Sequence, residues 1–517
     1  MKISSMNYWL NVKTIFLIIT LAFPLISQGQ ESRIVDFEAD FTEFDQTLGN
    51  NIFRLIGNVR MRHKDIFLTC DSAYLNQETN QFRGFSRVHI IKSDTLDLFG
   101  NRLNYNGSTR MANLEGQVVM EHESSTLYTD HLDYDMNNEV AWYYDGGQII
   151  DSLNILESGW GYYYADKELY HFKNNVFMSN EDNTLSTDTL RYDSRNKIIY
   201  FLGPTQIFGD TNYIYCENGW YDSQRNLSSF NQNAVFQSGE QVLSGDSLWY
   251  DRDREISEAF GNVTARDTIQ NSIIKGEKLF YNEKEQKLIV TENTLFIMAE
   301  EPDSLFLHAD TLYSYIEDSI DSRRILAYHH VQFYRNDIQG RCDSLNYLVE
   351  DSVIFLYHEP VLWQEKSQLN STGISIKLGD KGIDYIKMTG IGLLIIELDS
   401  IHFNQIKGKT ITGFFSDNKL ARVDVSGNSE GLFYPEDDKG RIGLNKAVSS
   451  DTQILFKNGK IDRVKFITDP DPTLTPMNQI KASELFLEGF SWRSILRPLN
   501  KDDIYIWDKE KKAPEGA

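Results

Sequence analysis

The chain has 517 residues, of which 41% are hydrophobic and 13% aromatic, and its formal net charge is −24. This apolar content is enough for a sizeable core and excludes a wholly disordered chain. The acidic balance opposes binding to nucleic-acid phosphates, and no run of four or more Lys or Arg provides a basic patch. We therefore expect no nucleic-acid partner.

The first 29 residues have the pattern of a cleavable signal peptide. Lys2 and Lys13 precede the apolar run "IFLIITLAFPLI" at 15–26, and small residues follow at 27–29. An apolar run of about a dozen residues suits a signal-peptide core, whereas a membrane-spanning helix needs roughly 20. We expect export and a mature chain that starts near Gln30.

A nine-residue pattern then recurs along most of the chain, as in "LSTDTLRYD" (185–193) and "LSGDSLWYD" (243–251). Its first residue is aliphatic, its third is small and its fourth is acidic or polar. Leu usually follows at the sixth position, Tyr at the eighth, and Asp or Asn at the ninth. Five consecutive steps between its acidic positions are 29 residues each, and such regularity predicts a repeat architecture. The acidic position falls at Asp40, Asp71, Asn101, Asp130, Gly159, Asp188, Glu217, Asp246, Glu277, Asp310 and Asp343, and more weakly at Thr372 and Lys409.

Each repeat predicts two strands joined by short polar turns, such as "DSRNK" (193–197) and "SGEQ" (238–241). Turns of this length join antiparallel neighbours, because parallel strands need a longer crossover. Only three prolines lie between residues 30 and 434, which suits a sheet that needs its N–H donors. We expect an all-β, antiparallel repeat array.

Strand parity predicts a bend in every repeat. Leu243 and Gly245 alternate along one face, and so do Leu248 and Tyr250, but Gly245 and Leu248 are three residues apart. If all four face one core, the strand must bulge at 246–247. The second strand is interrupted likewise at 57–58, 146–147, 174–175, 203–204 and 261–262. A sheet bent in this way forms a trough with an apolar interior; a plain filled sandwich is the alternative.

The repeat explains two local motifs without a catalytic, disulfide or metal-binding role. The tetrad Gly-Asp-Ser-Leu at 245–248 resembles the nucleophile motif of an esterase family, but Ser247 occupies a repeat position that elsewhere holds His131 or Thr189. The strained turn into a helix that such a serine needs is also missing. Cys70, Cys216 and Cys342 all fall in the small position, so we expect buried, unpaired thiols.

The repeated strand pattern, followed by (F/L)-x-G-N-V and placed behind a signal peptide, resembles the OstA-like family over about residues 31–415. These are periplasmic bridge proteins of lipopolysaccharide transport. The resemblance implies a long antiparallel β-jellyroll bent into a V-shaped trough, which shields lipopolysaccharide acyl chains between the inner and outer membranes. It also implies a periplasmic location, no enzyme activity, no cofactor or metal, and transport machinery at either end as partners.

The candidate trough lining follows from parity. It comprises the Leu two residues past the acidic position and the Val after each interruption of the second strand. These residues are Leu103, Leu132, Leu190, Leu248, Leu279, Leu312, Leu345, Val59, Val88, Val118, Val176, Val235 and Val263. Because the surface is acidic, we expect the protein to bind the lipid by burying its acyl chains rather than by attracting its phosphates.

The domain organisation expected is a signal peptide at 1–29, the repeat array at 30–415, a capping or docking module at 416–500 and a flexible tail at 501–517. Residues 478–492 allow a helix, so the cap is expected to be a small β/α module. End-to-end self-association would satisfy the open sheet edges of the array. Two other functions stay open: a structural or adhesive β-solenoid without lipid, and a carbohydrate-active enzyme, which would need paired carboxylates in one cleft.

Overall fold

The computed structural model describes residues 36–44, 51–92, 96–122, 125–151, 154–269, 271–299, 303–317, 322–379, 382–416, 419–438, 440–457 and 460–507. The predicted signal peptide therefore lies outside the described residues. The fold is nearly all antiparallel strand, with 74% strand and 3% helix, which confirms the predicted all-β class. It divides into two compact units: unit 1 runs to Gly116 and includes Asp133–Asn137, and unit 2 holds Gln117–Leu132 and everything from Asn138 onward.

The strands as far as residue 135 alternate with short turns, in the predicted order. They are β1 Asp36–Glu38, β2 Phe41–Phe44, β3 Ile52–His63, β4 Ile66–Asn76, β5 Gln81–Lys92, β6 Leu96–Asn106, β7 Met111–His122 and β8 Ser125–Asp135.

From residue 140 to 335, several long strands are split into two short ones at the bend. The strands are β9 Val140–Tyr143, β10 Gly147–Ile150, β11 Ile155–Ser158, β12 Trp160–Tyr164, β13 Leu169–Ser179, β14 Asn183–Asp193, β15 Ile198–Phe201, β16 Thr205–Gly209, β17 Asn212–Cys216, β18 Asn218–Asp222, β19 Leu227–Ser238, β20 Gln241–Asp251, β21 Ile256–Asp267, β22 Ser272–Asn282, β23 Lys287–Met298, β24 Leu305–Glu317 and β25 Ser322–Arg335.

The remaining strands continue the array to residue 476, with a bend again in β31, β32 and β33. They are β26 Ile338–Leu348, β27 Val353–Tyr357, β28 Val361–Gln364, β29 Ser367–Asn370, β30 Gly373–Gly379, β31 Gly382–Glu397, β32 Phe403–Ser416, β33 Lys419–Phe433, β34 Glu436–Asp437, β35 Gly440–Arg441, β36 Gly443–Lys457, β37 Lys460–Ile467 and β38 Asp471–Pro476. The predicted boundary between array and cap at residue 415 stays a prediction.

The bend in each strand is a break in the pairing register. Between β20 and β21, Ser244 pairs with Thr264 and the next pair is Ser247 with Phe260, so the bulge predicted at 246–247 is confirmed. On β21 the break coincides with two consecutive left-handed residues, Gly261 at φ 70° and Asn262 at φ 48°. Two such residues redirect the chain and restore the inward parity beyond the bend.

The recurring acidic residue holds this bend in place. Asp246 accepts hydrogen bonds from Asn262 Nδ2 at 3.2 and 3.1 Å, and a Cβ on Gly261 would collide with its carboxylate. Asp40 accepts a bond from Asn58 at 2.9 Å beside Gly57 in the same way. At Asp71 the donor is Arg87, at 2.8 Å. These carboxylates therefore act as structural partners of the neighbouring strand, as their recurrence in most repeats predicts.

The small position lies inside the bend, where the two halves of the sheet approach each other. A Cβ on Gly276 would contact the side chain of Val290, and one on Gly84 would lie 3.3 Å from Cys70 Sγ. Cys70, Cys216 and Cys342 are buried there, and their thiols are free. Burial raises the pKa of both Cys70 and Cys216 from its usual 9.0 to about 11, and raises that of Cys342 further.

The thiols should accordingly be unreactive in the native protein. At pH 8 only about one thiol in a thousand would be ionised at a pKa of about 11, so alkylation by iodoacetamide should be slow until urea unfolds the chain. Because the folded pKa lies above the unfolded value, their contribution to stability is present below about pH 9 and is lost as pH rises toward 11. Stoichiometric labelling of the native protein within minutes would contradict this burial.

The last described segment, 477–507, does not form the helix that 478–492 allows. It contains short 3-10 turns at Met477–Gln479, Ala482–Glu484, Ser494–Leu496 and Asp503–Tyr505. Two buried glutamines hydrogen-bond its backbone. Gln405 donates to the Leu485 carbonyl at 2.8 Å and accepts from the Leu487 N–H at 2.9 Å. Gln368 bonds the Ser491 carbonyl and the Arg493 N–H in the same way, at 2.7 Å each. These backbone groups are therefore not available for helical bonds.

The first part of the predicted tail belongs to this segment too. Gln332, which is 1% exposed, donates to the carbonyls of Ile504 and Ile506 at 3.0 Å each. The Arg341 guanidinium lies 3.5 Å from the centre of the Trp507 ring. Residues 501–507 are thus packed against β25 and β26, while 508–517 lie outside the described residues.

Candidate functional site

The bends divide the sheet of unit 2 into two halves that share one core. In β20 and β21, residues 241–245 and 263–267 belong to what we call the aliphatic half-sheet, and residues 247–251 and 256–260 to the tyrosine half-sheet. The other strands from β13 to β25 divide in the same way at their own bends. Buried residues from both half-sheets, such as Val263 and Leu248, pack into a single hydrophobic cluster.

Twelve of the thirteen predicted lining residues face the interior and are almost completely buried. Leu132 and Val59 are 0% exposed, and Leu345, among the most accessible, is 5% exposed. The twelve lie next to the bends, where the two half-sheets are closest. They form the floor of the interior rather than a surface open to a ligand.

Val235 is the exception, and its predicted inward position is wrong. The left-handed pair of β19 is Gln232 and Asn233, so the inward residue after the bend is Ala234, which is 0% exposed and pairs with Gly245. Val235 is one residue later and therefore points to the opposite face. The valine was a misleading marker in this repeat, because alanine occupies the position that valine holds elsewhere.

The interior of unit 1 is filled. Inward residues near the strand ends, such as Ile66 and Phe82 at 0% exposure and Tyr105 at 2%, are as buried as those at the bends. His63 Nδ1 lies 2.7 Å from the Tyr105 hydroxyl, and Lys92 donates to the Tyr134 hydroxyl at 3.0 Å. This unit resembles the filled sandwich that the sequence left as the alternative to a trough.

In unit 2 the interior opens toward the strand ends between β13 and β24. Most inward residues far from the bends are half-buried and pack on the core, and we call these the mouth layer; Leu185 and Leu307, at the same level, are 4% and 7% exposed. Those of the aliphatic half-sheet are Met178, Ile207, Ile214, Phe236, Leu243, Ala265, Ile274, Phe296 and Leu305; those of the tyrosine half-sheet are Tyr170, Tyr192, Ile199, Tyr221, Tyr281 and Leu288.

The mouth layer is the candidate ligand-binding site. None of its residues is among the thirteen lining residues predicted from the sequence. The signal was nevertheless present in the repeat. The first aliphatic position of the nine-residue pattern supplies Leu243 and Ile274, and its tyrosine supplies Tyr192 and Tyr281. The parity that places Leu248 inward places these residues inward too. Only the structure shows which inward positions stay half-exposed.

Ser247 has no catalytic surroundings. Its hydroxyl donates to Asn231 Oδ1 at 2.7 Å, at the bend of β20. The chain has one Asp-x-x-His spacing of the kind that the esterase family uses, at Asp399 and His402, and His402 Nδ1 lies 2.9 Å from Asp399 Oδ1. That pair precedes β32, ten strand pairings from β20, which is on the order of 45 Å.

Asp399 instead belongs to a structural cluster. Its carboxylate also accepts a hydrogen bond from Arg441, which is the main reason why its pKa lies far below the usual range. Among the described residues, no group of three or more His, Cys, Asp or Glu side chains is arranged to hold a metal ion. None of the helices in the described part of the chain is long and apolar enough to cross a bilayer.

Comparison with known proteins gives a family match and matches among solved structures. A family model described as OstA-like protein matches residues 31–176 and 166–246. One structural match is the crystal structure of LptH, described as the LptA homologous periplasmic component of the conserved lipopolysaccharide transport device from Pseudomonas aeruginosa. It covers 27% of this chain and 99% of LptH, with 14% sequence identity and a TM-score of 0.22. No curated protein matches the chain.

Proposed function

We propose, from the premise that this chain belongs to the OstA-like family through residues 31–246, that it carries lipopolysaccharide across the periplasm. Proteins of this family take part in lipopolysaccharide transport between the two membranes. The observation that carries the proposal is the mouth layer, a half-buried apolar surface that continues through about ten strands of unit 2. The acyl chains of the lipid would lie on it.

The physical argument is the cost of acyl chains in water. Burial of each methylene group contributes about 0.8 kcal/mol, so ten buried methylenes contribute about 8 kcal/mol. Half-buried side chains such as Phe236 and Phe296 still expose apolar area that a lipid chain would cover. The interior of unit 1 is filled along most of its strands, and we therefore place the cargo in unit 2. The periplasmic location rests on the family and on the predicted signal peptide.

The same layer argues against the structural alternative. A β-solenoid without cargo would bury its inward residues along the whole strand, as most strands of unit 1 do, whereas most inward strand-end residues of unit 2 between β13 and β24 are only half-buried. A carbohydrate-active enzyme would need two carboxylates with catalytic freedom. The recurring carboxylates Asp40, Asp71 and Asp246 are instead bonded at the bends.

Site-specific photo-crosslinking in cells tests the proposal at two adjacent residues of β20. Leu243 faces the interior, packs on the core and pairs with Phe236 and Ala265, whereas Val242 faces away and pairs with Gln237 and Arg266. Both are aliphatic and half-buried. A benzophenone side chain at 243 should capture lipopolysaccharide, and the same side chain at 242 should capture at least about tenfold less.

Mass spectrometry of lipids that co-purify with the protein identifies the cargo independently. Circular dichroism of each variant establishes that the sheet is intact. Equal capture at 242 and 243 in folded protein, or capture at neither position, would overturn the proposal and favour the structural role.

A further inference from the structure

The two edges of the unit 2 interior differ in charge. The turns that follow the tyrosine half-sheet between β14 and β23, at 194–197, 223–226, 252–255 and 283–286, form what we call the cationic edge. Together they hold six Lys or Arg and four Asp or Glu, and the strands before the first three of them end in Asp193, Asp222 and Asp251. The turns that follow the aliphatic half-sheet, at 180–182, 210–211, 239–240 and 268–269, form the acidic edge. These four turns hold four Asp or Glu and no Lys or Arg.

The contrast is greatest at the first two turns of the cationic edge, which contain Arg195, Lys197 and Arg225 and no carboxylate. All three cations are exposed. The opposite turns at the same level contain Glu181, Asp182 and Asp210. An anionic group between the two edges would therefore be attracted to one and repelled by the other.

Asp193 and Asp222 end the strands before these turns, and both carboxylates are engaged by the turns that follow them; Asp193 Oδ1 accepts the Asn196 N–H at 2.9 Å. Asp222 Oδ1 accepts the N–H groups of Gln224 and Arg225 at 3.0 and 2.9 Å, and the Arg225 guanidinium is 3.8 Å from Asp222 Oδ2. Arg195 donates to Glu168 Oε1 at 3.2 Å on the exposed surface. The Arg195–Glu168 pair is exposed on both sides and is therefore weak, and the Arg225 guanidinium is itself exposed although Asp222 is buried.

The tyrosines of the repeat stand directly before the cationic edge. Tyr192, Tyr221, Tyr250 and Tyr281 each precede the last residue of their strand and are half-buried. A tyrosine ring combines an apolar body with a hydroxyl that bonds polar groups, which is why tyrosine concentrates where acyl chains meet headgroups in membranes. The opposite half-sheet presents aliphatic and phenylalanine side chains at this level.

Building on the proposed function, we propose that the interior between β13 and β24 takes a phosphorylated, multiply acylated lipid in one orientation. The acyl chains lie on the mouth layer, and the phosphate-bearing headgroup lies at the cationic edge, beside the tyrosine row. The acidic edge excludes the headgroup from the other side. The net charge of −24 thus conceals a local surface that suits an anionic lipid.

A triple charge reversal at each edge tests the orientation. The first variant is Arg195→Glu, Lys197→Glu and Arg225→Glu at the cationic edge. The matched control is Glu181→Lys, Asp182→Lys and Asp210→Lys at the acidic edge. All six positions are in exposed turns, so both variants should fold, and circular dichroism checks this.

Binding is measured on the full chain as displacement of the fluorescent apolar probe 1-N-phenylnaphthylamine by bis-phosphorylated lipid A and by its dephosphorylated form. At low salt the first variant should bind the phosphorylated lipid about tenfold more weakly and the dephosphorylated lipid within about twofold of the original protein. The loss should shrink at 0.5 M salt. The control variant should bind the phosphorylated lipid at least as tightly as the original protein does. Inorganic phosphate alone should not displace the probe.

Equal weakening for both lipids, or no change for either, would overturn the orientation while leaving the carrier role intact. Weakening by the acidic-edge variant instead of the cationic-edge variant would reverse the orientation. Failure of the original protein to bind even the dephosphorylated lipid would refute the carrier role itself. Displacement of the probe by inorganic phosphate would show a simple anion site rather than a headgroup site.

Discussion

Replacing Ile274 with glutamate is expected to weaken lipid binding at least about tenfold without unfolding the protein. Ile274 is a half-buried residue of the mouth layer, paired with Ala265 and Phe296 in the aliphatic half-sheet. The change removes an apolar contact worth about 1.5–3 kcal/mol and places a carboxylate where acyl chains would have to desolvate it. Displacement of an apolar fluorescent probe by lipid, with circular dichroism alongside, measures the effect.

The neighbouring residue provides a matched control. Ile273 is also half-buried and lies on the same strand, but it faces the other side of the sheet and pairs with Arg266 and Ile297. Ile273→Glu should leave lipid binding within about twofold of the original value. If both substitutions weaken binding equally while the sheet remains intact, the mouth layer is not the lipid site.

Removing one complete repeat should leave a folded protein, whereas removing half a repeat should abolish folding. Deletion of residues 241–271 removes β20 and β21 and joins the 239–240 turn directly to β22. The strands β20 and β22 have the same length, direction and bend position, so β19 can pair with β22 in the register that it uses with β20. Because repeats contact mainly their neighbours, the shortened array should still fold.

Deletion of residues 241–255 removes only β20 and its turn. The next strand, β21, would then follow β19 in the wrong direction, and every later strand would place its tyrosine half against an aliphatic half. We expect the 31-residue deletion to unfold cooperatively within about 10 °C of the original protein, and the 15-residue deletion to show no cooperative transition. A cooperative transition in both, followed by circular dichroism on heating, would contradict the repeat architecture.

The location of the bends could be predicted from the sequence because it depends on local chemistry. Gly261 and Asn262 tolerate left-handed backbone, and Asp246 is within reach of them on the adjacent strand. The parity of Leu248 and Gly245 requires a break between them. These are short-range constraints that a single repeat contains, and thirteen repetitions of them identify the fold class and the family resemblance.

Which inward residues line an open interior could not be predicted from the sequence. It depends on the distance between the two half-sheets, and the residues of one repeat do not determine that distance. Leu190 and Ile274 occupy equally apolar inward positions, yet Leu190 is 1% exposed at the bend and Ile274 is half-buried near the strand end. The same pattern in unit 1 gives a filled interior, as at Phe82 and Tyr105. The prediction for Val235 was wrong by one residue. The face of the sheet to which a hydrophobic residue points can be assigned only when the position of the bend is known.

The C-terminal segment shows most clearly the difference between what local sequence determines and what distant contacts determine. Residues 478–492 have a composition compatible with a helix, and local preference is all that the sequence reports there. The backbone conformation is instead decided by Gln405 and Gln368, which are more than 70 residues away along the chain and bond its carbonyl and N–H groups. The sequence by itself determined the repeat, the bends and the inward face, since these follow from neighbouring residues. Tertiary packing decided which inward residues remain accessible and how the C-terminal segment is held, since these depend on contacts between distant strands.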